Sequence, residues 1–269
     1  MNRFGVATGI RSLFSNRGLL LALIIRDVQS RYRGTLLGFL WAILYPLMML
    51  VVYAFVFGGV FNARWSTGGS LNEFALMLYC GLIVHGIFSE TLSRSPTAIV
   101  SNSSYVKKVV FPLEVLPISH LASAAFNALI GVGLLCAFLL VQRGALAGTA
   151  FLVPLVVLPL LILTAGLAWL LAAIGVFFRD ISQVIGVIMA VLLFLSPVFY
   201  PVSSAPPFAR SMILLNPLTI PIEELRAVII LGNSLDWAFW FAYCIVALGV
   251  AVAGLWLFQK SRPAFADVI

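Results

Sequence analysis

Thirty consecutive residues, from Gly34 to Ala63, carry no charged side chain, and they include the run WAILYPLMMLVVYAFVFGGVF. A helix needs about 20 apolar residues to cross the ~30 Å hydrocarbon core of a bilayer. This stretch is long enough to span. Just before it lies Arg26-Asp27-Val28-Gln29-Ser30-Arg31-Tyr32-Arg33. Arginines flanking a span mark the end that stays in the cytoplasm. Such a chain must satisfy its backbone hydrogen bonds internally, which selects helices or a closed barrel.

The pattern repeats down the chain. Hydrophobic residues make up 62% and charged residues only 9%, against about 25% charged in a typical soluble domain. A water-soluble fold is thereby excluded. The net charge of +7 is topological and faces anionic lipid and the cytoplasm. No basic–aromatic cluster points to nucleic acid. Cys80, Cys136 and Cys244 all lie in apolar runs without CxxC spacing and read as small packing residues. The first twenty residues lack the form of a cleavable leader, so the first span is expected to serve as the insertion signal.

The hydropathy pattern predicts an all-α membrane domain covering the whole chain, with six spans at 36–60, 74–93, 113–141, 150–178, 182–200 and 237–258. An even number puts both termini on one side. That side then holds Arg3, Arg11, Arg17, Arg26, Arg31, Arg33, Arg94, Lys107, Lys108, Arg179, Lys260 and Arg262. The other side holds Arg64, Arg143, Arg210 and Arg226. Twelve basic residues against four place both termini in the cytoplasm.

Three segments outside the spans carry further signals. In 7–33, apolar residues recur at helical spacing between arginines, which predicts a helix lying in the interface and broken at Gly18. Arg26, Arg31 and Arg33 are expected to anchor it at the headgroups. In the second loop, Ser95-Pro96 fits an N-cap and first helical residue. A short helix over 95–104 follows, with Ser95, Pro96, Thr97, Ile99, Val100 and Asn102 as candidates to dock a cytoplasmic partner. Residues 203–231 are too apolar for an ordinary loop and too short to cross, which predicts re-entrant helices shielded by protein.

No GxxxxGK[ST], HExxH, GxSxG or metal-spaced cluster occurs, so no nucleotide cradle, metal or catalytic centre is expected in this chain. His85 lies in the second span, with Glu90 five residues on; a lone intramembrane histidine reads as a helix-packing hydrogen-bonder. Ion-coupled carriers need ionisable groups near the midplane. Asp27, Glu114, Asp180 and Asp236 instead sit at or beyond the ends of the apolar runs. Energy for any active transport must therefore enter from elsewhere, and together with the docking-type loop at 95–104 this points to a partner ATPase.

Four segments carry a resemblance: SRYRGTLLGFLWAILYPLMMLVVYAFVFG, YVKKVVFPLEVLPISHLASAAFNALIG, FFRDISQVIGVIMAVLLFLSPVFYP and NPLTIPIEELRAVII. In this order and spacing they resemble the membrane subunit of type-2 ATP-binding-cassette exporters of cell-surface polysaccharide. The resemblance implies a six-span inner-membrane permease that pairs with a second copy and binds two cytoplasmic ATPase subunits. Its implied substrate is a lipid-linked glycan of the O-antigen, teichoic acid or capsule type. Segment 95–104 then matches the coupling helix, 7–33 the interface helix and 203–231 the short extracytoplasmic helices. A type-2 permease for a drug or small lipid shares the fold and stays open, as does a channel or scaffold working without an ATPase.

A sliding glycan needs weak, repeated contacts, and sugar C–H faces pack on aromatic rings. Trp41, Tyr45, Tyr53 and Phe57 recur near helical spacing on the first span, and Phe194, Phe199 and Tyr200 lie on the fifth. These seven are the candidate channel-lining rings. The competing reading is an aromatic belt or packing against lipid.

Overall fold

A computed structural model describes residues 5–62, 65, 70–106 and 111–268. Arg3, Arg64, Lys107 and Lys108 of the charge count lie outside the described residues. Among the described residues the fold is all-helical, and five helices are long and apolar enough to cross a membrane: Gly38–Val60, Leu71–Thr97, Val115–Arg143, Gly148–Phe177 and Trp237–Val268.

Two helices lead in, α1 (Val6–Ser15) and α2 (Arg17–Tyr32). The break falls at Asn16 rather than Gly18, because the Asn16 amide side chain bonds back to the Ser12 carbonyl at 2.8 Å. This local bond closes α1 where a glycine alone would not. The first long helix starts with a 3-10 turn, runs through α3 (Trp41–Tyr53) and ends in a π-helical stretch, Ala54–Val60.

Helix α4 (Leu71–Arg94) opens on a serine N-cap: the Ser70 hydroxyl accepts from the Glu73 N–H, three residues on. It is the most buried long helix and forms the centre of the bundle. Two 3-10 turns, Ser95–Thr97 and Val100–Asn102, then lead to α5 (Ser103–Val106). Helix α6 (Val115–Arg143) ends at Gly144, and α7 (Val153–Phe177) follows a 3-10 turn. Gly144 sits at φ 74°, a left-handed cap that favours glycine.

The predicted fifth span is shorter than expected. Helix α8 (Ile181–Leu195) has 15 residues, or about 22 Å. It stops because Ser196 turns extended ahead of Pro197. Residues 196–200 are therefore outside the helix.

Two short helices, α9 (Pro207–Leu215) and α10 (Thr219–Arg226), fill the segment before α11 (Trp237–Ser261), and α12 (Phe265–Val268) closes the described chain. A second π-helical stretch, Ala227–Leu231, extends α10.

Helices α7 and α11 cross at glycines. A Cβ on Gly166 would lie 2.6 Å from the Ala251 Cα, and one on Gly254 would overlap the Gly166 carbonyl. Bare backbones permit this approach, as small residues do between helices in a membrane. Helix α4 packs between α6 and α7, and residues such as Leu78, Val84, Leu160 and Ala172 are fully buried there. Helix α3 stands largely exposed beside this body, with Tyr45, Val51 and Phe55 each more than 60% accessible.

Candidate functional site

Three features lie along α3 and α4: a charged cluster at the α2 end, a cavity above it, and a ring cluster beyond.

The charged cluster joins α2 to α4 and α6. Arg31 makes a bidentate pair with Glu90. Arg94 makes a second bidentate pair with Asp27, with Nη1 2.8 Å from Oδ2. Asn127 Nδ2 lies 3.4 Å from Glu90 Oε2, and Tyr32 donates to Asn127 Oδ1 at 3.0 Å. His120 Nδ1 stands 3.6 Å from Asp27 Oδ1, an electrostatic neighbour beyond hydrogen-bond range. Burial alone would raise the Asp27 carboxyl; His120 and Arg94 beside it outweigh that and hold it well below the usual carboxylate range. Burial and the nearby Arg94 charge pull the Arg31 guanidinium down from its ordinary value.

The three candidate anchors thus differ. Arg31 turns inward to Glu90, a correction to its expected place among the headgroups, because a partly buried carboxylate offers a stronger partner than water. Arg26 is exposed and donates to the Tyr105 hydroxyl at 3.2 Å, and Arg33 is exposed.

Above this cluster a cavity of about 800 Å³ opens between α3, α4 and α6. Trp41, Tyr45 and Tyr53 of α3 form one wall. Tyr79, Gly86 and Glu90 of α4 and Asn127, Ala128 and Gly131 of α6 form the others. Small residues on α4 and α6 leave the space. Three of the candidate rings, Trp41, Tyr45 and Tyr53, therefore belong to the cavity.

The ring cluster gathers three other candidates, Phe57, Phe194 and Phe199, together with Tyr53 from the cavity wall. Phe199 is buried at its centre, stacked on Phe57 with centroids 4.4 Å apart. Tyr53 and Phe194 each lie 5.5 Å from Phe199, and Phe61 extends the row at 5.9 Å from Phe57. Phe57 sits on the π-helical stretch, a rare geometry frequent at functional sites. Tyr200 stays apart: its hydroxyl donates to the Phe194 and Leu195 carbonyls, both at 3.3 Å, and so caps α8. His85 Nε2 pairs with the Met189 carbonyl at 3.1 Å and ties α4 to α8.

At the turn after α4, Ser95 does not act as an N-cap. The helix continues through it, and its buried hydroxyl donates to the Thr91 carbonyl at 2.7 Å. Pro96 is buried against Gly175 of α7, where a Cβ would overlap the Pro96 carbonyl. Ile99 is fully buried and so cannot meet a partner. Thr97 and Ser101 are exposed, and Val100 and Asn102 are half-buried. The outward face of this turn is polar.

Sequence reasoning missed two groups. Tyr79 was hidden because one tyrosine in an apolar run has no local signature. Arg226 reads as a loop charge, yet it is 1% exposed. It donates to the Met77 and Val198 carbonyls at 2.9 and 3.0 Å and to Glu223 at 2.9 Å, and Trp65 covers it at 4.1 Å. It fastens α10 to α4 and to the segment after α8. Its place inside a half-apolar helix, IEELRAVII, was the available signal.

The model of the ABC-2 type transporter family matches residues 18–230. The chain is 30% identical over 262 residues to the O-antigen export system permease protein RfbA of Myxococcus xanthus, covering 97% of this chain and 98% of that protein. It is 25% identical to a protein of the same name from Klebsiella pneumoniae, over 93% and 95% of the two chains. It is 28% identical to the polysialic acid transport protein KpsM of Escherichia coli, over 86% and 90%. A family model matching most of the chain and a relative matching nearly all of it, on an all-helical bundle with membrane-length helices, make this chain a member of the ABC-2 type transporter family.

Proposed function

We propose that the chain is the channel-forming membrane subunit of an ATP-driven exporter that moves a lipid-linked, O-antigen-like polysaccharide from the cytoplasm across the bacterial inner membrane. The observation that carries this reading is the near-complete match to permease proteins named for O-antigen export. The polysialic acid and capsule transport relatives extend the same theme. Rings on α3 and around Phe199 supply weakly binding faces of the kind a sliding glycan needs.

In this reading the chain is not itself an enzyme. Two copies pair, two cytoplasmic ABC ATPase subunits hold ATP and magnesium, and Thr97 and Ser101 present the coupling turn to them. Helix α8 with residues 196–200 makes the sixth crossing, α9 and α10 are re-entrant at the outer side, and both termini lie in the cytoplasm.

The test is deletion of the gene followed by analysis of the surface and of the membranes. Surface polysaccharide should vanish while its lipid-linked form accumulates at the cytoplasmic face, and plasmid copies should restore export. A deletion strain with a normal surface and new sensitivity to small amphipathic drugs would move the chain to drug export.

A further inference from the structure

The cavity between α3, α4 and α6 holds two polar atoms that the described residues do not satisfy. The Tyr79 hydroxyl is buried and lacks a hydrogen-bond partner, and so does Arg31 Nε at the opposite end. Tyr79 itself is 4% exposed and lines the cavity. Buried polar groups are nearly always paired, so each orphan calls for an explanation.

The cavity runs along the residues that carry both groups. From Glu90 to Tyr79 is eleven residues along α4, about 16 Å at the helical rise. A Cβ on Gly86 would meet nothing within 4 Å, so open space lies beside it. A Cβ on Gly131 would come 3.3 Å from the Tyr79 hydroxyl, so the bare glycine backbone packs beside that buried group. At the other end, Glu90 and Asn127 retain acceptor and donor capacity beyond their mutual bonds.

Hydrocarbon would leave both orphans unpaired. An occupant that satisfies them must carry hydrogen-bonding groups along its length and flat apolar faces for Trp41, Tyr45 and Tyr53. Sugars have both. We propose that this cavity is a saccharide-binding site built within a single subunit, with the Tyr79 hydroxyl bonding a sugar at its deep end and Glu90 and Asn127 bonding one near the charged mouth. The proposal rests on the polysaccharide-export reading and adds a holding site that one chain forms alone.

Tyr79→Phe tests it, because it removes only the hydroxyl. Loss of an unpaired buried hydroxyl should leave the melting temperature unchanged or raised. The full exporter with its ATPase, in nanodiscs, is titrated with lipid-linked glycan extracted from producing cells. A parallel titration uses the same carrier lipid stripped of its sugar. In Tyr79→Phe the half-saturating concentration for ATPase stimulation by the glycan-bearing lipid should rise roughly three- to tenfold, while the response to bare carrier is unchanged. As a second reading, Gly86→Cys is made with Cys80, Cys136 and Cys244 replaced by serine. A membrane-impermeant thiosulfonate should modify it, and the glycan-bearing lipid should protect it.

Equal responses of wild type and Tyr79→Phe to the glycan-bearing lipid overturn the site while the export reading stands. An equal shift for bare carrier makes the cavity a lipid-chain seat and also overturns it. Absence of any glycan stimulation in the wild type brings down the export reading itself, and the site with it.

Discussion

At the scale of residues, the paired ions between α2 and α4 hold the lead-in helix to the bundle. A carboxylate with a depressed pKa binds its proton less tightly folded than unfolded, so its contribution is fully present above the ordinary carboxylate range and is lost as pH falls below that range toward the depressed folded value. The Asp27–Arg94 tie should therefore be constant between pH 8 and 5. Asp27→Asn should lower stability by about 1.5–3 kcal/mol, as for hydrogen bonds to charged groups. Melting temperatures in detergent at pH 8, 6.5 and 5 should show the same deficit; a deficit that shrinks by half over that range would mean Asp27 titrates there. Arg31→Ala and Glu90→Ala should be non-additive, since the two pair directly. These ties were not legible in the sequence. Arg31 and Glu90 are 59 residues apart and Asp27 and Arg94 are 67 apart, and no local period relates them. What was legible was that the acidic groups sit near span ends, because charge inside an apolar run is visible without a fold.

At the scale of elements, close backbone approach makes rigid joints. Gly175 brings α7 onto the Pro96 carbonyl, so the turn that follows α4 is clamped to α7. Gly175→Ala should force the two apart and cost about 1–3 kcal/mol, as overpacking does. ATP turnover should then lose its response to substrate. Gly133→Ala, where a Cβ would meet nothing within 4 Å, is the matched control and should be neutral or slightly stabilising. Equal effects from both would mean that the joint carries no coupling. The exposed positions of the turn make a second expectation: Thr97→Cys and Ser101→Cys should form crosslinks to the partner ATPase, and Ile99→Cys, fully buried, should not. The Ser95-Pro96 pair drew attention to this segment but could not tell its inner from its outer face, since a 3-10 turn follows neither the helical nor the strand period. Long helices were legible to within a few residues, as at Val115–Arg143 against the expected 113–141, because a span needs only length and apolarity. Helix α8 was overestimated because residues 196–200 are as apolar as the helix they follow, and only Ser196-Pro197 marks the stop.

At the scale of the whole molecule, the fixed charges sort to two ends. Asp27, Arg31, Glu90, Arg94, Glu114 and Arg262 occupy the α2 end, where Arg262 donates to Glu114 at 3.1 Å and to the Phe111 carbonyl at 2.8 Å. Arg143 and Arg226 occupy the other, where Arg143 donates to the Ile230 carbonyl. Nothing charged bridges them along α3 or α7, as a low-dielectric slab between the ends requires. The N-terminal and C-terminal segments meet at the first end, since Gly9 of α1 packs on Leu255 and Gln259 of α11. In the proposed topology this contact is a constraint separate from the charge count: it keeps both termini on one side and so calls for an even number of crossings. With five full-length helices, that proposed topology has α8, with the segment after it, complete a sixth crossing. The same proposal puts the basic-rich terminal side in the cytoplasm, as the positive-inside tendency favours. Reporter fusions after Ser103 and Asp180 should read inside, and fusions after Gln142 and Ser211 outside. Ser211 is the decisive position. It lies on α9, beyond the short helix, and an inside reading there would return α8 to the cytoplasmic face as a re-entrant segment and leave the terminal segments unable to meet without breaking the packing of α1 on α11.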